Sequence, residues 1–204
     1  LRMEPSLQDI NVNGFRLRSN NEAVALDFSE FVEGYAVDQA VLRLLDLGID
    51  DAMVNVGGNL RAIGSRAGHP WRVPIRRADG TGVLATLDIQ GDESIITAGT
   101  FETYGDFEGR RYHDLLDPRT GWPAEGLRAV TVVHRDATTA HAAATALFVA
   151  GPSRWPEEAA IMGVDQAMVI DEQGTLHLSP RLEPRLRFMG RKPDIRIIGE
   201  TVGR

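Results

Sequence analysis

Between Thr97 and Gly151 the chain carries TAGTFE (Thr97 to Glu102), DPRTGWP (Asp117 to Pro123) and an alanine-rich segment holding His141 and Thr145. Proline pre-sets φ and glycine reaches conformations other residues avoid, so Pro118, Gly121 and Pro123 define a turn that fixes its own path. After a strand expected over Arg128 to His134, apolar residues at Ala140, Ala144, Leu147 and Phe148 repeat at helical spacing. A helix over Thr138 to Val149 follows, with Thr138 or Thr139 as its N-cap. His141 and Thr145, four residues apart, then share a helix face and can share a ligand or a metal ion. The bland alternative is a satisfied, partly buried histidine among alanines.

The rest of the chain surrounds this stretch with one helix and many strands. Val12 to Leu17 and Ala23 to Leu26 are short strand candidates about a Ser19-Asn20-Asn21 turn. Asp27 to Asp38 leads into a helix with apolar positions Val37, Ala40, Val41, Leu44 and Leu45, stopped by Gly48. Asp27, Glu30 and Glu33 crowd the segment in front of it, where a helix N-terminus favours negative charge. Ala52 to Val56 alternates as a strand and ends at Gly57-Gly58-Asn59, where missing side chains admit a ligand or another backbone. Trp71 to Ile75, Leu84 to Ile89 and Ser94 to Ala98 read as strands, with Ala78 to Gly82 a hairpin turn. Pro156 is expected to open a short helix, Glu157 to Met162, ended by Gly163. Gln166 to Ile170 and Thr175 to Leu178 form a hairpin, and Gly190 to Arg204, with the apolar run Ile195 to Ile198, reads as a tail that is mobile or serves contacts outside the domain. One helix followed by several strands predicts α+β, with mixed or antiparallel sheets packed with a few helices.

Composition removes several classes of function. With 204 residues, 43% hydrophobic, the chain can bury a core. Its 29 acidic and 22 basic residues give a net charge of -7, and no basic cluster stands out, so a nucleic-acid partner is not expected. The absence of cysteine excludes disulfides, thiolate nucleophiles and cysteine-bound metals. No apolar run approaches the roughly 20 residues of a membrane span. A start at Leu1 points to a processed, tagged or truncated N-terminus.

Five segments in register resemble one family, the ApbE flavin transferases, which move the FMN half of FAD onto a Ser or Thr of a target protein. They are DFSEFVEGYAVD (Asp27 to Asp38), VNVGGN (Val54 to Asn59), Thr97 to Glu102, DPRTG with Pro123, and ATALFVAG (Ala144 to Gly151). The resemblance implies an ApbE-like domain over residues 1–188 and a tail over 189–204. It implies FAD as substrate, Mg²⁺ or another divalent metal, and a target protein as partner. By position it makes Asp27, Glu33, Gly57, Gly58, Thr97, Gly99 and Leu116 cofactor contacts. Glu30, through its backbone carbonyl, and Thr145, through its side chain, become metal ligands. Cleaving a pyrophosphate builds charge on several oxygens, which a hard cation answers, and a base must take the proton of the acceptor hydroxyl.

Two positions depart from the family pattern. The histidine usual three residues before the Asp of DP is Asp114 here, with His113 beside it as a shifted substitute. The aspartate usual four residues before the metal-binding threonine is His141. An exchange of partners would preserve the charge balance, making Asp114, His113 and His141 the catalytic candidates and His141 also a metal ligand. Imidazole suits zinc, copper or nickel better than magnesium, so the departures equally suit a non-catalytic flavin-binding relative. Water in place of the protein hydroxyl would give a third reading, an FAD pyrophosphatase. The family also has an N-terminal portion that supplies part of the flavin site. Its absence here implies a fragment or a site completed by another chain, with a homodimer as one form. Resemblance further implies a periplasmic or membrane-anchored location, the anchor being a lipoprotein cysteine in that missing portion.

Overall fold

The computed structural model describes residues 4–100, 104–107, 110–190 and 193–198. Residues 101–102 of the TAGTFE segment, and residues 191–192 and 199–204 of the expected tail, lie outside these. The chain opens with a hairpin of β1 (Ile10–Asn13) and β2 (Arg16–Ser19). Its turn is therefore Gly14-Phe15, not Ser19 to Asn21, because Gly14 takes a φ of 58° that a turn needs and most residues avoid. Ala23 to Leu26 forms no strand.

Helix α1 (Ser29–Asp46) begins earlier than its apolar spacing predicts. Of the three acids expected in front of it, only Asp27 precedes it. Asp27 accepts hydrogen bonds from the Ser29 N–H and hydroxyl, and these hold its carboxyl below the usual range. Two antiparallel strands follow, β3 (Ala52–Val56) and β4 (Asn59–Ile63). β4 was not anticipated: all five of its residues are buried, including Asn59 and Arg61, so it lacks the alternation that marks a half-exposed strand.

Next come β5 (Arg72–Arg76), β6 (Val83–Asp88), β7 (Glu93–Gly99), the hairpin of β8 (Tyr104–Phe107) and β9 (Arg110–His113), and the short pair β10 (Leu116–Asp117) and β11 (Trp122–Pro123). They are followed by β12 (Leu127–His134), α2 (Ala137–Ile161), β13 (Ala167–Asp171), β14 (Leu176–Leu178), β15 (Leu186–Phe188) and β16 (Ile195–Ile197). The main sheet has seven strands in the order β16-β14-β13-β12-β7-β4-β3, antiparallel except where β16 runs parallel to β14. The expectation of a mobile tail fails at Ile195 to Ile198, because β16 completes this sheet edge and the Ile198 N–H donates to the Leu178 carbonyl.

Alternation along the central strands divides the core in two. Ile96, Ala98, Val130 and Val132 face the helices and pack with Val37, Ala140, Leu147, Phe148 and Trp155. Ile95, Ala129 and Val133 face the other way, onto the three-stranded sheet β15-β6-β5 through Val73, Ile75 and Leu87. The result is a layer of two helices, a seven-stranded sheet and a small sheet: α+β with mostly antiparallel pairing, as the element order predicts. Among the described residues no helix is long and apolar enough to cross a membrane.

α2 departs from expectation at both ends. Its N-cap is Asp136, whose side chain accepts from the Thr139 N–H at 2.8 Å, and neither Thr138 nor Thr139 fills that role. At its middle Gly151 adopts a φ of 79°, so the helix kinks and a second segment runs from Pro152. Pro152, not Pro156, opens that segment, since a proline at a first helical position gives up no intrahelical bond.

Candidate active site

Four local devices build the site. The first is the β3–β4 turn, a two-residue loop in which Gly57 and Gly58 both have positive φ, 61° and 102°. Only a residue without a Cβ meets that demand at both positions cheaply, and such turns match the twist of paired strands. The Asn55 carboxamide oxygen accepts from the Gly58 N–H at 3.1 Å. On the far side of the turn the Asn59 carboxamide donates to the Glu33 carboxylate at 2.6 Å, binding the turn to α1.

The second device seats the N-terminus of α2 on α1. Gly34 lies so close to α2 that a Cβ there would stand 2.6 Å from the Ala137 carbonyl oxygen. One turn later in α1, Asp38 accepts from the Ala137 and Thr138 N–H groups, each at 2.8 Å, and from the Thr138 hydroxyl at 2.5 Å. Asp136 accounts for the other two, its side chain accepting from the Thr139 N–H and its own N–H donating to His134 Nδ1 at 3.2 Å. All four amides that a helix start leaves open are thus satisfied inside the protein, so this helix end is not available to an anionic ligand. Arg61 of β4 donates to Asp38 at 2.6 Å and grips Asp92 with two bonds of 2.8 Å. Burial opposes the charge on Asp38, but the bonds from Thr138, Ala137 and Arg61 hold its carboxyl below the usual range.

The third device is the DPRTG turn. The Asp117 carbonyl accepts from the Thr120 and Gly121 N–H groups. Arg119 forks over the Asp117 carboxylate with two bonds of 2.8 Å, which lower the Asp117 pKa, and gives a further bond of 3.0 Å to the Val149 carbonyl. The turn is thereby latched to α2 just before its kink. The fourth is β7, where the Thr97 and Thr131 hydroxyls share a hydrogen bond of 2.9 Å across the sheet.

Together these elements enclose a cavity of about 500 Å³ lined by Ser29, Glu33, Gly57, Asn59, Thr97, Ala98, Gly99, Asp114, Leu115 and His141. Six residues named from the sequence meet in it: Glu33, Gly57, Thr97, Gly99, Asp114 and His141. Asp114 is exposed, whereas His141 is buried. A neighbouring cavity of about 280 Å³ shares Gly57 and Thr97 and adds Gly58, Asn55, Leu60, Val73, Ile75 and Arg76. The glycine turn therefore forms the divide between two adjoining recesses.

Other expected site residues lie elsewhere. His113 is turned away from the cavity: its Nε2 bonds the Ala124 carbonyl at 3.0 Å and its ring meets Phe148 edge-on at 5.6 Å. It lines a third cavity of about 260 Å³ with Thr100, Glu125 and Glu172. Consecutive residues at the end of an extended strand point to opposite sides, so His113 and Asp114 do not share a site, and the shifted-substitute expectation is corrected. Leu116 is exposed and does not line the main cavity; its neighbour Leu115 does. Asp27 is exposed at the foot of α1, Glu30 lies in the first turn of that helix, and Thr145 is half-buried one turn beyond His141. Sequence reasoning missed Asn59, Asp38 and Arg61, although Asn59 and Asp38 each close a quoted motif.

The two ligands the resemblance implies, the Glu30 carbonyl and the Thr145 hydroxyl, together with His141, which stands where the family has an aspartate, offer no carboxylate. Among the described residues no three His, Asp or Glu side chains form a metal-binding group. A neutral donor set of this kind fits a divalent cation whose anionic oxygens come from a bound phosphate ligand. Mg²⁺ is ordinarily held by carboxylates as well as phosphates, and the imidazole suits zinc, copper or nickel better.

The fold and cavity define an α+β protein with a ligand-sized recess between its helices, main sheet and glycine turn. The ApbE protein of Thermotoga maritima superposes with a TM-score of 0.82 and 28% identity, covering 90% of this chain and 60% of that one. The flavinyl transferase ApbE of Pseudomonas stutzeri gives 0.75 and 30%, covering 90% and 58%. The chain belongs to the ApbE family: residues 1–168 match the family's model. A Rhodobacter capsulatus protein named FAD:protein FMN transferase is 37% identical over 182 residues, 89% of this chain and 35% of that protein. Its namesake in Escherichia coli (strain K12) is 36% identical over 151 residues, 72% of this chain and 43% of that protein. The chain spans less than half the length of these two relatives.

Proposed function

We propose that this protein transfers FMN from FAD to a Ser or Thr hydroxyl of a target protein. The observation that supports it is the convergence of Glu33, Gly57, Thr97, Asp114 and His141 on one cavity, with a second recess across the glycine turn. A dinucleotide has two bulky ends joined by a pyrophosphate, and two recesses divided by a side-chain-free turn suit that shape. The names of the relatives support the same chemistry.

In this reading the acceptor hydroxyl attacks the phosphorus on the FMN side of the pyrophosphate. A new P–O bond forms, the bond to the bridging oxygen breaks, and AMP departs carrying that oxygen. Asp114, exposed on the cavity wall, takes the hydroxyl proton, as an ionised carboxylate within reach can. Gly57 and Gly99 let the ligand approach the backbone, and Thr97 offers a hydroxyl whose partner Thr131 holds it in place. The Glu30 carbonyl, Thr145 and His141 would hold a divalent ion, which would supply positive charge against the pyrophosphate.

Two further parts of the proposal concern assembly and place. α1 leaves Phe31, Val32, Tyr35 and Leu42 about half exposed, and a second copy covering that face would make a homodimer. A mass by light scattering equal to one chain would remove that part. A periplasmic or membrane-anchored location rests on family resemblance.

The reaction is tested by incubating FAD, a divalent metal and a Ser- or Thr-bearing acceptor peptide with the protein. AMP together with flavin covalently bound to the peptide is the expected result. AMP with free FMN would make the protein a pyrophosphatase, and no AMP with Mg²⁺, Mn²⁺ or Zn²⁺ would overturn catalysis.

A further inference from the structure

Three of the elements that line the cavity are α1, with Ser29 and Glu33, α2, with His141, and β4, with Asn59. These elements are joined at one carboxylate that does not line the cavity. Asp38 belongs to α1, five residues after Glu33. It binds Ala137 and Thr138, one turn before His141 in α2. It also binds Arg61, two residues after Asn59 in β4. The joint is buried, with Asp38 and Arg61 only 7% and 6% exposed. Asp136 caps α2 as well, but its other partner is His134, two residues earlier at the end of β12, so it joins α2 to neither α1 nor β4.

We infer that Asp38 is a positioning residue: it sets the depth and rotation of α2 against α1 and β4, so that the His141 imidazole stands in the cavity with Glu33 and Asp114. The geometry allows little freedom. Gly34 lets α2 descend until its first carbonyl meets the α1 backbone. Each oxygen of Asp38 then accepts from at least one α2 amide, while Oδ1 also takes the Arg61 bond. An asparagine is the same size but turns one of those oxygens into an N–H₂ donor facing other donors. Whichever way the amide lies, either Thr138 or the Ala137 and Arg61 pair loses its acceptor. The inference rests on the transfer reaction proposed above for its kinetic readout, and on the fold alone for its spectroscopic one.

The test compares Asp38→Asn in the full chain with and without His141→Ala, and adds Thr138→Val, which deletes only the hydroxyl bond. With FAD as substrate, Asp38→Asn is expected to lower kcat about 100-fold while KM stays within about twofold, the scale on which a misplaced group acts. In the His141→Ala background the same change is expected to cost less than about threefold, because nothing remains to position. Equal losses in the two backgrounds would overturn the inference and leave Asp38 a structural residue. Independently of turnover, imidazole ¹H–¹⁵N signals of His141 are expected to shift in Asp38→Asn, and by less in Thr138→Val, while those of His69 stay in place. Unmoved His141 signals would overturn the inference even with turnover intact. Shifted signals in a protein that never releases AMP would overturn the transfer reading and leave the positioning role standing.

Discussion

The Asn59 carboxamide donates to the Glu33 carboxylate at 2.6 Å, so the glycine turn between β3 and β4 is held to α1 at the edge of the cavity. Asn59 is buried and Glu33 is exposed. Replacing Asn59 with Asp sets two carboxylates at hydrogen-bond distance, and like charges so placed disfavour each other's ionised form. The variant is expected to be about 1 to 3 kcal/mol less stable than the parent at pH 8, from the lost bond and the buried charge. Its deficit should shrink at pH 4.5, where the pair can hold a proton. Denaturant melts at the two pH values measure this, and an equal deficit at both would show that charge is not the cause.

Gly34→Ala tests the docking of the two helices. The added Cβ would stand 2.6 Å from the Ala137 oxygen and 3.0 Å from the Thr138 Cα, both backbone and unable to swing aside. Overpacking of this kind costs about 2 to 3 kcal/mol. A thermal melt within a degree of the parent would show that α1 and α2 can separate without loss.

Acid stability should depend on Asp38. Its folded pKa lies below its unfolded value, because the bonds from Thr138, Ala137 and Arg61 outweigh burial. The resulting stability is fully present above the unfolded pKa of about 3.9 and is lost as pH falls through the folded pKa. The parent is therefore expected to lose stability below about pH 4, and Asp38→Asn to show a shallower loss over the same range. Parallel acid curves for the two proteins would contradict this.

Arg119 is a fourth point of control. Lysine in its place keeps the charge but loses the two-pronged grip on Asp117 and the bond to Val149, which depend on a planar guanidinium. Because the pair is exposed, the melting temperature should change little. The DPRTG turn, and with it Asp114 three residues earlier, should loosen, lowering kcat/KM about tenfold. An unchanged rate would mean that the turn holds its shape without the latch.

The fold class was legible because short apolar runs bounded by turn residues mark most of the core strands and the helical period marks α1 and α2. β4 was hidden because Asn59 and Arg61 interrupt its apolar residues and look like surface, although both are buried. The α2 cap was misplaced because two threonines and an aspartate offer similar side-chain oxygens at one helix start, and only the backbone decides between them. Glu33, Gly57, Thr97, Gly99, Asp114 and His141 could be named from their motifs and do meet. His113 could not be separated from Asp114 in one dimension, since a single step along an extended strand reverses direction. Asp38 was quoted as the end of a motif, but its partners lie 23 and about 100 residues away along the chain, beyond local patterns.

The most direct test of the account is AMP release from FAD by the parent protein and by His141→Ala, Asp114→Ala and His113→Ala, each with Mg²⁺, Mn²⁺ and Zn²⁺. The account predicts AMP from the parent and from His113→Ala, and a loss of at least about 100-fold in the other two. No AMP from the parent, or a loss confined to His113→Ala, would contradict it.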